Sequence, residues 1–239
     1  MKVGSLFSGV GGFDLGLERA GHEIVWQVEI DPFCCDVLAK HWPNVLRYED
    51  VRLIGKELAP VDIICGGFPC QPVSRAGRRK AQADPRWLWP EFARLVCELE
   101  PRYVLLENTD GLLKRGFGDI LRDLAAFGYD VEWESICASH FGAPHRRERV
   151  FAVAYTDCDG WKAPFLSPGA PLSDSERHLA VSQARWKDIK YRAGKPVGGG
   201  IEPGISGVDD GLPYRVDRVT SLGNALVPQI AEWIGRKLA

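Results

Sequence analysis

Three short segments pair reactive residue types with neighbours that would expose them. Gly66-Gly-Phe-Pro-Cys-Gln-Pro-Val-Ser74 follows the apolar run Val61–Cys65, and its glycines and prolines would hold Cys70 in a loop at the carboxyl end of a strand, where open α/β sheets build their sites. A thiol held there becomes a nucleophile once nearby positive charge or a helix amino terminus lowers its pKa. Cys34, Cys35, Cys65, Cys97 and Cys137 lie in helix- or strand-like surroundings and read as packing residues. Glu107-Asn108-Thr109 ends a second apolar run, Tyr103–Leu106; a carboxyl there acts as an acid or hydrogen-bond partner if burial raises its pKa. The structural alternative is a satisfied Glu beside an Asn/Thr helix cap. His145-Arg-Arg-Glu-Arg149 precedes a third run, Val150–Ala154. In an extended segment Arg147 and Arg149 project to one face, suited to a phosphate or a nucleobase carbonyl, although charge clusters also serve as solvated faces.

A fourth segment would bind rather than react. Phe7-Ser-Gly-Val-Gly-Gly-Phe13 stands between a strand-like run and a helical one, so its glycines could let backbone approach a cofactor beside the free N–H groups of a helix start. The spacing is not the GxGxxG of dinucleotide folds, and a glycine-rich turn can be no more than a turn. Glu29, closing the next apolar run, is placed to accept hydrogen bonds from a ribose diol. As a solvated cap beside Asp31 it would do nothing of the kind.

The elements that must position these residues alternate. Val3–Phe7, Ile24–Val28, Val61–Cys65, Tyr103–Leu106 and Val150–Ala154 read as strands. Phe13–Gly21, Pro32–His41, Leu88–Glu100 and Gly118–Phe127 read as helices between them, which predicts a mostly parallel sheet covered by helices. After Thr156, Pro, Gly and Ser accumulate and apolar periodicity fades, as in an irregular module. Ala225–Ala239 then reads as a terminal helix returning to the first domain. With 239 residues, 45% of them hydrophobic, one large domain, or one with a small appendage, is expected and wholesale disorder is not. Net charge is −2, so nucleic-acid contact would need local basic patches. The seven cysteines form no CxxC pair, which argues against a disulfide framework and a structural zinc site and for a reducing, cytoplasmic setting without export or membrane signals.

The four segments, in this order, resemble the cytosine carbon-5 DNA methyltransferase family, over Lys2–Tyr155 and roughly Val219–Leu238. The resemblance places Phe7, Ser8, Gly9, Gly11 and Gly12 in the S-adenosylmethionine loop, Glu29 at the ribose, Ile30 also at the cofactor, and Asp50-Val51 at the adenine. Pro69, Cys70 and Gln71 fall in the catalytic loop, Glu107 in the acidic motif, Arg147 and Arg149 on the paired arginines, and Asn224-Ala225 in the segment that closes the cofactor pocket. It implies a Rossmann-like S-adenosylmethionine-dependent sheet with helices on both faces, formed by residues 1–155 and 219–239, with 156–218 as a small target-recognition region. No metal is implied.

The implied reaction is methylation of carbon 5 of a cytosine flipped out of double-stranded DNA. Cys70 attacks carbon 6, Glu107 contacts ring nitrogen 3 and the amino group, and Arg149 with Arg147 holds the carbonyl. Arg75, Arg78, Arg79 and Lys80, net +4 with no intervening acid, would follow Gln71 and Ser74 onto the DNA. Arg185, Lys187, Lys190 and Arg192 belong to a second basic stretch, net +5 over 177–195, and suit DNA contact from the recognition region. The resemblance further suggests a monomer and leaves room for a cognate restriction endonuclease. Departures are His145 for the usual Gln, Thr109 for Val, Val73 for an aromatic, and a short interval 156–213. A tRNA cytosine methyltransferase would use the same groups. A catalytically silent nucleic-acid-binding relative would not need them, and a nicotinamide oxidoreductase would leave the Pro-Cys-Gln loop unexplained.

Overall fold

Runs such as Ile63-Ile-Cys-Gly66 and Tyr103-Val-Leu-Leu106 are apolar at consecutive positions, as a strand covered on both faces requires. In the computed structural model, which describes residues 1–69, 86–143, 147–156, 191–192, 195–196 and 225–238, they are the central strands of a seven-stranded sheet. The chain order is β1 (Lys2–Leu6), α1 (Gly12–Arg19), β2 (Glu23–Val28), α2 (Pro32–His41), β3 (Leu46–Tyr48), a 3-10 turn (Val51–Leu53) and β4 (Ile63–Gly66). There follow α3 (Trp89–Leu99), β5 (Tyr103–Asn108), α4 (Gly111–Lys114), α5 (Phe117–Ala126), β6 (Asp130–Cys137), a second 3-10 turn (Ala138–Phe141) and β7 (Glu148–Tyr155). A short ribbon of β8 (Tyr191–Arg192) and β9 (Lys195–Pro196) precedes α6 (Pro228–Leu238).

Strand order is β3-β2-β1-β4-β5-β7-β6, with β1 to β5 parallel and β7 antiparallel to both of its neighbours. The chain winds outward from β1 to β3, then returns to pair β4 with β1. The crevice between β1 and β4 is thus the topological switch point, where such sheets bind ligands. Alternate side chains divide between two cores. Ile64, Val104, Leu106 and Ala154 face α3 and α5, whereas Ile63, Cys65, Leu105 and Val153 face α1 and α6.

The predicted alternation holds for β1, β2, β4, β5 and β7, while β3, β6 and α4 depart from it. Strand β3 has only three residues, and α4 is a single turn. Strand β6 reads Asp-Val-Glu-Trp-Glu-Ser-Ile-Cys, polar at alternate positions because it forms the sheet edge and stays half-exposed over most of its length. The start of α2 and the end of α1 follow ordinary capping chemistry. Asp31 accepts from Cys34 N–H (3.0 Å) with Pro32 at the first position of α2, and Gly21 (φ 90°) ends α1. No described helix is long and apolar enough to cross a membrane.

Helix α6 packs along α1, as its apolar residues suggested. The contact is close enough to need glycine. A Cβ on Gly16 would lie 2.4 Å from Pro228 O and 2.5 Å from Ala231 Cβ, and one on Gly12 would lie 2.8 Å from Leu226 O. His22, buried at the end of α1, bonds Gly235 O through Nε2 (2.9 Å). Gly16→Val should therefore wedge the helices apart and destabilise the protein by about 1–3 kcal/mol, read as a lowered urea midpoint; an unchanged midpoint would refute this docking.

Candidate active site

Strand register decides which residues meet. Val28, Leu6, Gly66 and Leu106 lie in one row across β2, β1, β4 and β5. Their successors Glu29, Phe7 and Gly67 therefore leave the sheet together at its carboxyl edge, beside Glu107, which stays in β5 paired with Phe151 of β7. Asn108 pairs with Val150 of antiparallel β7, so Arg149 enters at the same edge. These segments line one cavity of about 470 Å³, together with Ile30, Asp50, Val51, Pro69 and Ala225. That size suits a small-molecule site.

In the glycine-rich half, Phe7 (φ 52°), Gly9 (φ 55°) and Gly11 (φ 85°) adopt left-handed backbone, which turns the chain sharply from β1 into α1. Ser8 N–H donates to Val28 O (3.1 Å) and its hydroxyl to Ser5 O (3.1 Å), holding the turn against β2. A Cβ on Gly11 would strike the Trp42 ring at 2.4 Å, whereas one on Gly9 would have nothing within 4 Å. Glu29 is not a helix cap; Asp31 has that role. Instead Gly9 N–H donates to Glu29 Oε2 (2.7 Å) and Asp31 N–H to Oε1 (2.8 Å). A carboxylate offers about four acceptor sites, so the two oxygens keep capacity for a further pair of donors. Across the cavity, Asp50 caps the first 3-10 turn and takes Arg52 Nε (2.8 Å) and Nη2 (2.6 Å), and these bonds hold its pKa down at about 2.

The other half is built around Glu107, 9% exposed at the end of β5. Burial pushes its pKa up, opposed by the charges of Arg149 and Arg147. Arg149 Nε lies 3.2 Å from Glu107 Oε1. Gly67 crosses directly above, where a Cβ would sit 2.8 Å from Oε2. Asn108 Nδ2 donates to Phe68 O (3.1 Å), which ties β5 to the start of the Pro-Cys-Gln loop, and Phe68 is clamped between the rings of Trp87 and Trp89. Arg147 (φ 28°) sends Nη2 to Ala225 O (2.6 Å) in the segment before α6. Thr109 lines the cavity with a buried hydroxyl that bonds nothing.

The structure thus gathers Phe7, Ser8, Gly9, Gly12, Glu29, Ile30, Asp50, Val51, Pro69, Glu107, Arg149 and Ala225 around one cavity. Gly11 supports the loop from behind. Arg147 reaches the closing segment, a partner not foreseen for it. Cys70, Gln71, Ser74, Arg75, Arg78, Arg79, Lys80, His145, Arg185, Lys187, Lys190 and Asn224 lie outside the described residues. Arg192 falls on β8, in register with Lys195. Sequence reasoning missed Arg52, whose signal is the Asp-x-Arg spacing at a turn. It also missed Asn108 as a loop tether, and no local signal marks that contact across forty positions.

It missed Asp14 too. A carboxylate in a helix first turn ordinarily faces water, yet Asp14 is fully buried beneath the turn. It accepts from Ser5 Oγ (3.0 Å) and Gln27 Nε2 (2.8 Å), and Arg47 donates to Gln27 Oε1 (2.9 Å). Burial outweighs these bonds and raises its pKa to about 6.

The profile of the C-5 cytosine-specific DNA methylase family matches residues 1–197, and the chain belongs to that family. It is 36% identical over 202 residues to the Type II methyltransferase M.FnuDI of Fusobacterium nucleatum, covering 81% of this chain and 57% of that protein. It is 34% identical over 233 residues to M.MspI of Moraxella sp, covering 92% and 52% respectively. A variant of Spodoptera frugiperda DNMT2 superimposes with TM-score 0.56 and 25% identity, over 68% of this chain and 52% of that one. The chain spans about half the length of the relatives it matches.

The buried acid has a pH signature. The native pKa of Asp14, about 6, exceeds its ordinary 3.8, so the folded state holds the proton more tightly. Stability present below about pH 3.8 is lost as pH rises through about 6, by about 3 kcal/mol in full. In Asp14→Asn the Ser5 hydroxyl can turn to accept, and the variant should lose less stability than wild type between pH 4 and 6. Parallel urea-derived pH profiles would contradict the assignment.

Proposed function

We propose that the protein transfers a methyl group from S-adenosylmethionine to carbon 5 of a cytosine flipped out of double-stranded DNA, with Cys70 as covalent nucleophile. The observation that carries this reading is the continuity of one cavity from the Gly9–Glu29 contact to the Glu107–Arg149 pair. In it, residues 1–155 and 219–239 make the catalytic domain and 156–218 a reduced recognition region. The basic residues 75, 78, 79, 80, 185, 187, 190 and 192 contact the DNA with Gln71 and Ser74. The protein acts as a monomer in the cytoplasm, in a restriction-modification setting with a cognate endonuclease.

The residues present fit the cofactor. Gly9 turns a bare backbone toward open space, and the anchored Glu29 carboxylate retains acceptor sites for a ribose diol. Asp50 and Val51 supply the adenine side with Ile30, which is 64% exposed and lines the cavity. Arg147, through Ala225 O, holds the closing segment over the glycine turn. When bound, S-adenosylmethionine supplies an electrophilic methyl group.

The chain's own groups then act on the base. The Cys70 thiolate bonds to carbon 6, and the ring's electron pair moves toward carbon 5 and the carbonyl. Glu107, its pKa raised by burial, can hold a proton against ring nitrogen 3, while the Arg149 guanidinium stabilises negative charge on the carbonyl oxygen. After methylation, loss of the carbon-5 proton restores aromaticity and expels the Cys70 thiolate.

Methyl incorporation into unmethylated duplex DNA and into tRNA tests the reading. Duplex DNA should be labelled, and Cys70→Ala should reduce labelling by at least about 10³-fold, given the dependence of the reaction on its nucleophile. Labelling of tRNA alone would overturn the substrate, and turnover by Cys70→Ala would overturn the nucleophile. Glu29→Ala should weaken cofactor affinity by about tenfold, the worth of one charge-assisted hydrogen bond, as read by calorimetry; an unchanged Kd would exclude its ribose role.

A further inference from the structure

The adenine side of the cavity rests on a 3-10 turn too short to fix itself. Val51–Leu53 is a single 3-10 turn. Two carbonyls of this segment are taken by one side chain from another element. Arg94, in the middle of α3, donates from Nη2 to Val51 O (2.9 Å) and from Nη1 to Ile54 O (2.9 Å). Its fork is aimed by carboxylates on its own helix, Glu91 to Nε (2.9 Å) and Glu98 to Nη1 (3.2 Å), one turn to either side. The segment approaches so closely that a Cβ on Gly55 would stand 2.9 Å from Glu98 Oε2 and 3.7 Å from Arg94 Nη1.

Arg94 does not line the cavity, but both residues it steadies through the turn do. Val51 offers its own carbonyl to the guanidinium, and Asp50 caps the turn through Arg52 N–H (3.0 Å). The same helix reaches two other walls: Phe92 stacks on Phe7 of the glycine turn (6.4 Å between centroids), and Trp89 packs at a tilt against Phe68 before the Pro-Cys-Gln loop (6.0 Å). Helix α3 is thus the common base from which the adenine wall is set relative to the rest of the site.

We propose that Arg94 is a positioning residue for cofactor recognition: its guanidinium fork fixes the carbonyls of the 51–54 turn and thereby places Asp50 and Val51 against the adenine. The inference rests on the S-adenosylmethionine reading above. A planar fork that bonds two carbonyls at once cannot be replaced fully by an ammonium, which is a point donor. Lysine should therefore restore part of the function and methionine, similar in length but without donors, none.

The test is calorimetric binding of S-adenosylhomocysteine, and of S-inosylhomocysteine, which lacks the adenine amino group, to wild type, Arg94→Lys and Arg94→Met. Arg94→Met is expected to bind S-adenosylhomocysteine at least tenfold more weakly and to lose most of the wild-type preference for it over the inosine analogue. Arg94→Lys should fall between. Damage spread through the fold would weaken both ligands alike and leave that preference intact, which would overturn the proposal even if Arg94→Met is unstable, because Arg94→Lys must show the same selective loss. Unchanged affinity and preference in both variants would also overturn it. Failure of wild type to bind either ligand would instead refute the cofactor reading on which it rests.

Discussion

The alignment of Val28, Leu6, Gly66 and Leu106 in one row of the sheet is the constraint on which the site depends. Parallel strands joined by helical crossovers must all end at the same edge, so residues far apart in sequence step off the sheet side by side. A slip of one residue in β4 or β5 would exchange Ile64, Val104 and Leu106 for their neighbours in the opposite core. It would also carry Gly67 away from Glu107. The apolar continuity of these strands, needed because both faces are covered, is therefore what fixes the carboxylate beneath the one residue that leaves it room.

Placement at the sheet edge is then refined from below by α3. Its aromatic residues form a stack through Trp89, Phe92 and Phe7, with rings 5.7 and 6.4 Å apart, and Phe68 sits between Trp89 and Trp87. Such contacts are worth more than their buried area alone. They bind loops lacking regular hydrogen bonds to a helix that has them. Helix α6 does the same on the other face, where Gly12 and Gly16 let the segment 226–232 lie against α1.

Much of this was legible because its signals are local. The fully buried strands announce themselves by unbroken apolar runs, and Asp31-Pro32 marks the start of α2 by capping chemistry alone. What stayed hidden depends on contacts made at a distance. Edge strand β6 alternates polar and apolar residues without a distinctive run. Asp14 reads as a helix-start carboxylate facing water until Ser5 and Gln27, from two neighbouring strands, are seen to enclose it. Glu29 reads equally as a cap or an acceptor, and only the Gly9 and Asp31 donors decide its geometry. The family resemblance named residues that line one cavity, but not the tethers that hold them.

Arg147 shows how those tethers join the two halves of the cavity. It and Arg149 stand two positions apart at the entry to β7, yet they bond to different elements. Arg149 lies against Glu107, where the base would react, and Arg147 holds Ala225 O, part of the wall that closes over the glycine turn. Its left-handed backbone, costly for a residue with a Cβ, persists only where surrounding contacts enforce it. Two residues further along the chain, Arg149 supplies the cation that opposes the burial-raised pKa of Glu107. The short stretch 147–149 thereby ties the segment before α6 to the buried carboxyl at the end of β5.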